Sequence, residues 1–98
     1  MENKENENAN VNQVLWEACI LGDLARVKDA LAAGAEANYQ NEVSGKSVLM
    51  CAAEIGSKEV IEYLLDQGAP WNALDRNGLC AGEYAMANGH QEIIDLSV

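Results

Sequence analysis

The chain has 98 residues, 49% of them hydrophobic, but with two Trp, three Tyr and no Phe its core must be built from Ala, Leu, Ile and Val. Sixteen acidic residues against six basic ones give a formal net charge of -10. That balance disfavours nucleic acid, whose phosphates need Lys and Arg to replace released counterions, and disfavours anionic membrane surfaces for the same reason.

In chain order, residues 1–12 are Glu, Asn and Lys almost throughout, with Met1, Ala9 and Val11 the only apolar residues. So little apolar surface cannot offset ordering entropy, and a disordered acidic, Asn-rich tail is expected there. The segment also lacks the apolar stretch of a signal peptide, and no later run approaches the roughly 20 apolar residues of a membrane span. A cytoplasmic or nuclear protein is the expectation.

From residue 13 onward the chain is predicted to form pairs of helices. The first helix of each pair falls at about 13–21, 47–55 and 81–88, and the second at about 24–33, 58–67 and 91–96. Ala18, Ala52, Ala53 and Ala85 put small side chains on the first helices, where neighbours can approach closely. Gly22, Gly56 and Gly89 stand just past their ends, where a left-handed residue costs least. Asp23 and Ser57 follow as good N-caps for the second helices, and His90 is a weaker one. Val27, Ala30 and Leu31 recur as Ile61, Leu64 and Leu65, spaced to occupy one helical face. Gly34 and Gly68 close these helices.

Aligning Gly22, Gly56 and Gly89 gives steps of 34 and 33 residues. A fixed period of this length marks a stacked repeat. The expected fold is all-α: a solenoid of three helix-turn-helix units, about 13–46, 47–79 and 80–98, with extended connecting loops.

These positions resemble the ankyrin repeat. The second unit is nearest the family pattern, with Gly45-Lys46-Ser47-Val48-Leu49 at the turn, Cys51-Ala52-Ala53 and Gly56 on the first helix, then Val60, Leu64-Leu65 and Gly68-Ala69. Val48 and Met50 stand where the family has Pro and His, so its turn motif is half present. The third unit has Cys80-Ala81-Gly82-Glu83 at the turn, and the first has no recognisable turn. More narrowly, Pro70-Trp71-Asn72-Ala73-Leu74, Ala81-Gly82-Glu83-Tyr84-Ala85-Met86 and Gly89-His90-Gln91-Glu92 resemble the N-terminal ankyrin segment of arginine N-methyltransferase 2-like and guanidinoacetate methyltransferase-like proteins. That resemblance implies the ankyrin part of a larger enzyme, with none of its catalytic residues; the alternative is a freestanding adaptor or inhibitor.

Chemistry-bearing motifs are lacking. His90 is the only histidine and no nucleophile stands in a motif beside it. Cys19, Cys51 and Cys80 are widely spaced and lack a C-x-x-C pair, which argues against structural zinc and for free, mostly buried thiols. Cys80, at the turn position equivalent to Ser47, is the most accessible of them by expectation. Neither glycine-rich phosphate motif is present, since Gly45-Lys46-Ser47 has no upstream glycine. No catalytic, cofactor or metal residue is assigned.

The resemblance implies partner contacts along the loop edge and the first-helix face. The candidates are Tyr39, Gln40, Asn41, Glu42 and Val43 in the first loop, and Trp71, Leu74, Asp75, Arg76 and Asn77 in the second. Trp71 admits two readings, a packed apolar residue and a partner anchor. Asn38 and Asn72 are expected to hydrogen-bond loop backbone. The expected partner is a protein with a basic or mixed surface. Ile93, Ile94, Leu96 and Val98 leave the last unit apolar, so further chain or a partner is expected to cover that face.

Overall fold

The computed structural model describes residues 4–96. Six helices follow in order: α1 (Lys4–Leu21), α2 (Leu24–Ala32), α3 (Val48–Ile55), α4 (Lys58–Asp66), α5 (Ala81–Ala87) and α6 (Gln91–Leu96). They form three pairs, and the pairs stack side by side into a body of 46 × 28 × 20 Å. The first helices of the pairs, α1, α3 and α5, are in successive contact, and α2, α4 and α6 make a second row. Among the described residues the one extended pairing is an antiparallel bridge between Gln40 and Ser47. No described helix is long and apolar enough to cross a membrane.

The core runs between the two rows. Leu15, Ala18 and Cys19 of α1, all six residues from Val48 to Ala53, and Val60, Ile61 and Leu64 of α4 are buried together with Ala85 and Ile93. Ala18, Ala52 and Ala85 are each 1% exposed or less, so the first helices of the pairs meet through methyl groups, as their sequence predicts. α3, buried from Val48 to Ala53, is the central element of the stack.

Helix ends follow local chemistry. The Asp23 carboxylate accepts from the Arg26 N–H at 3.2 Å and caps α2. The Ser47 hydroxyl accepts from the Met50 N–H at 3.0 Å and caps α3. Ser57 occupies the N-cap of α4 with extended backbone, but its hydroxyl makes no capping bond, contrary to expectation. His90 does not cap α6 through its ring; instead its Nε2 lies 3.0 Å from the Glu54 carbonyl oxygen, at the end of α3.

The first helix begins at Lys4 rather than near residue 13, so residues 4–12 of the expected disordered tail are helical. The tail's residues 1–3 lie outside the described residues. Two physical reasons account for the extension. The segment holds no Gly or Pro, and lengthening a helix that is already packed needs no new nucleus. In addition, the Asn12 amide oxygen accepts from the Glu36 N–H at 3.0 Å, tying the segment to the loop after α2.

Candidate functional site

The two long loops, 33–47 and 67–80, lie against each other along one edge. Each is built around an acceptor side chain that folds its own backbone. In the first, the Asn41 amide oxygen accepts from the Val43 N–H (2.8 Å) and the Ser44 N–H (3.1 Å). In the second, the Asp75 carboxylate accepts from the Asn77 N–H (2.8 Å) and the Leu79 N–H (2.9 Å). The two residues are one repeat period apart and do the same work. Asn38 and Asn72 were the expected residues for this role; both are exposed, and the loop bonds go to Asn41 and Asp75 instead.

Three hydrogen bonds join the loops. The Arg76 N–H donates to the Ser44 carbonyl at 3.0 Å, and the Arg76 guanidinium donates to the Glu42 carbonyl at 2.7 Å. The Gln40 amide donates to the Leu74 carbonyl at 3.2 Å and to the Gly45 carbonyl at 2.7 Å. Gly45, with φ +74°, lets this approach happen, because a Cβ there would sit 3.0 Å from the Arg76 nitrogen. The loops therefore form one ledge, not two independent fingers. At its rim Val43 is 80% exposed and Leu74 is also exposed.

Behind the ledge lies a polar cluster that sequence reasoning missed. The Tyr84 hydroxyl of α5 donates to the Asp75 carboxylate. Lys46 pairs with Glu54 of α3 and its ammonium sits 4.8 Å from the centre of the Tyr84 ring. The hydrogen bond from Tyr84, followed by those from backbone N–H groups, holds the Asp75 carboxyl below the usual carboxylate range. The same bond, with burial, pushes the Tyr84 phenol up to about 12. The signal that could have found the cluster is the period: Asn41 plus one repeat gives Asp75.

The predicted contact residues thus divide. Gln40, Glu42, Val43, Leu74, Arg76 and Asn77 are exposed on the ledge. Asp75 is buried and serves the loop, and Asn41 is half-buried with its side chain turned to backbone. Tyr39 is half-buried, its ring edge-on to Trp16 at 6.2 Å; it closes the core under the first loop. Trp71 is half-buried against the core and against Gly82, where a Cβ would lie 3.3 Å from the indole.

The thiols are free among the described residues. Burial, and secondarily the nearness of Cys51, pushes Cys19 up to about 12. Burial also raises Cys51 to about 12, with Lys46 opposing and Glu54 adding to the shift. Cys80 is half-buried at the start of α5, where its N–H donates to the Glu83 carboxylate at 2.9 Å. The described residues contain no cluster of three or more His, Cys, Asp or Glu placed to hold a metal ion.

Comparison with known proteins agrees with this architecture. The chain is 45% identical over 64 residues to protein arginine N-methyltransferase 2 of Cryptococcus neoformans, a match covering 65% of this chain and 18% of that protein. It is 43% identical over 65 residues to the ARF GTPase-activating protein Git of Drosophila melanogaster, covering 66% of this chain and 9% of that protein. Mouse ankyrin repeat domain-containing protein 40 is 38% identical over 64 residues, covering 65% and 18% respectively. The chain therefore spans less than a fifth of the length of these relatives. The narrower likeness to arginine N-methyltransferase 2-like proteins reappears in the first of them. The family described as ankyrin repeats, three copies, matches residues 15–96, and with the three stacked helix pairs this makes the chain a member of the ankyrin-repeat family.

Proposed function

We propose that this ankyrin-repeat module binds its protein partner along the ledge and the adjoining short-helix face, and that it takes no catalytic part itself. The observation that carries the reading is the ledge: two loops locked together by Arg76 and Gln40, presenting Val43 and Leu74 to solvent. Fixing the loops in advance lowers the ordering cost of association. Photo-crosslinking tests it. A benzophenone side chain at Val43 or Leu74 should give protein adducts, and one at exposed Glu62 on α4 should not; equal adducts at all three would count against the ledge.

The module serves a larger methyltransferase-like protein, as a recruiting or regulatory part. The likeness to the Cryptococcus protein supports this. The alternative is a freestanding adaptor, and the reading frame after Val98 separates the two: a Gly-rich turn between strand and helix favours the first, and an immediate stop favours the second. The partner surface is basic or mixed and is not nucleic acid, in keeping with the net charge of -10. Of the residues expected to leave the last unit apolar, Ile93 is fully buried, Ile94 is half-buried and Val98 lies outside the described residues; the exposed apolar side chain on that end is Met86, 65% exposed, and further chain or a partner covers it. The buried free thiols fit a reducing compartment, the cytoplasm or nucleus.

A further inference from the structure

Away from the ledge, the last turns of α1 and α3 leave an apolar patch uncovered. Leu21 is 65% exposed, Ile20 is 45% and Ile55 is 42%. The patch is continuous across the two units. Ile55 lies over Gly22, so that a Cβ on Gly22 would be 3.0 Å from the Ile55 Cδ1, and Leu21 is the residue next to that glycine. One turn back on α1, Glu17 is exposed on the same side as Leu21.

Charge decides what fits there. The Glu17 carboxylate accepts from the neutral Gln13 amide at 3.2 Å, so its charge remains. Four of the cations are engaged elsewhere, and Lys58, at the start of α4, is exposed. Arg26 pairs with Asp23, Lys46 with Glu54, Lys28 sits over the Tyr63 ring and Arg76 spans the loops. Apolar contact area beside uncompensated carboxylate, in a chain of net charge -10, is complementary to an aliphatic side chain flanked by cations.

We propose that the patch formed by Ile20, Leu21 and Ile55 is the docking point for a protein segment that carries a Leu, Ile, Val or Met flanked by Lys or Arg. The aliphatic side chain rests between Leu21 and Ile55, and a neighbouring cation faces Glu17. This rests on the interaction-module reading and adds to it the chemistry of the partner and a second contact region.

Selection from a display library of random 12-residue peptides on the intact chain tests the proposal. Enriched peptides should carry an aliphatic residue beside Lys or Arg. Their affinity should fall tenfold or more in Leu21→Asp and in Ile55→Asp, fall by a smaller factor in Glu17→Gln, and stay unchanged in Val43→Asp. Helical content by circular dichroism keeps loss of fold apart from loss of contact, since Leu21 is a surface residue. Acidic or uncharged peptides, or binding that responds to Val43→Asp and not to Leu21→Asp, would overturn the patch and leave the ledge reading intact. Absence of any enriched peptide would count against both.

Discussion

Replacing Gly56 by Ala tests how the units are locked together. Gly56 caps α3 with φ +78° and Gly89 follows the Asn88 cap of α5 with φ +74°, so both substitutions force Ala into the left-handed region, at about 1–2 kcal/mol each. They differ in their surroundings. A Cβ on Gly56 would lie 2.6 Å from the His90 ring, whereas one on Gly89 meets nothing within 4 Å. To make room, His90 must swing away and give up its contact with the Glu54 carbonyl, a further loss of about 1 kcal/mol. Gly89→Ala should therefore cost about 1–2 kcal/mol, and Gly56→Ala about 2–3. For a domain of this size the difference is a gap of about 4–8 °C in Tm. Urea unfolding of the two variants, followed by circular dichroism, measures it. A double-mutant cycle with His90→Ala isolates the ring: in that background the two glycine variants should cost the same. Equal destabilisation by Gly56→Ala and Gly89→Ala with His90 in place would refute the lock.

The Asp75–Tyr84 pair should give the stack a stability plateau with two edges. Asp75 is held low, so its contribution is complete above the ordinary carboxylate value of 3.8 and is lost as pH falls through its lower folded value. Tyr84 is held high, so its contribution is complete below 10.0 and fades as pH climbs towards about 12. Tyr84→Phe should flatten the acid edge, and an acid unfolding profile identical to the parent would sink the assignment. Among the thiols, Cys80 should react first with an aromatic disulfide reagent at neutral pH, while Cys19 and Cys51 wait for unfolding because burial raises both to about 12; three equal rates would contradict this. Finally, Ala53 and Met86 hold the same repeat position, one buried and the other 65% exposed. Ala53→Met should cost about 1–3 kcal/mol by overpacking, and Met86→Ala less than about 0.5, as melting curves would show.

The sequence made the helices legible because their boundaries are written in single residues. Gly22, Gly56 and Gly89 and the caps Asp23 and Ser47 act within one turn, so the period and the chemistry agree. The loops were less legible, for a different reason. Which Asx residue folds a loop depends on where the backbone turns, and Asn38 and Asn72 were as plausible by type as Asn41 and Asp75. Tyr39 looked exposed because loop residues generally are, but its ring closes over Trp16 and that contact joins segments far apart in the chain. The Lys46–Glu54–Tyr84–Asp75 cluster draws on all three units and becomes visible only once the stacking is known. α1 begins earlier than composition implies because the Asn12 bond to Glu36 ties that segment to the loop after α2.

The repeat register also exposes an asymmetry between the ends of the stack. Val60 and Ile93 are buried, and the residue one period before Val60 is Arg26, which is exposed. Cys51 is buried, and its counterpart in the first unit is the exposed Glu17. The first unit thus places charged side chains where its neighbours place apolar ones, as a terminal repeat in water requires. The third unit does the reverse. Cys19 and Ala53 are both fully buried, and their counterpart Met86 keeps an apolar side chain in the open. Val27 and Ile61 are fully buried, while Ile94 is half-buried. The N-terminal face thus carries charge where the face of α5 carries the exposed Met86, and the module has two exposed apolar surfaces, at Leu21 and at Met86. Each is flanked by a carboxylate: Glu17 stands one turn before Leu21, and the exposed Glu83 stands three residues before Met86 on α5, so an aliphatic side chain beside a cation is complementary to either surface.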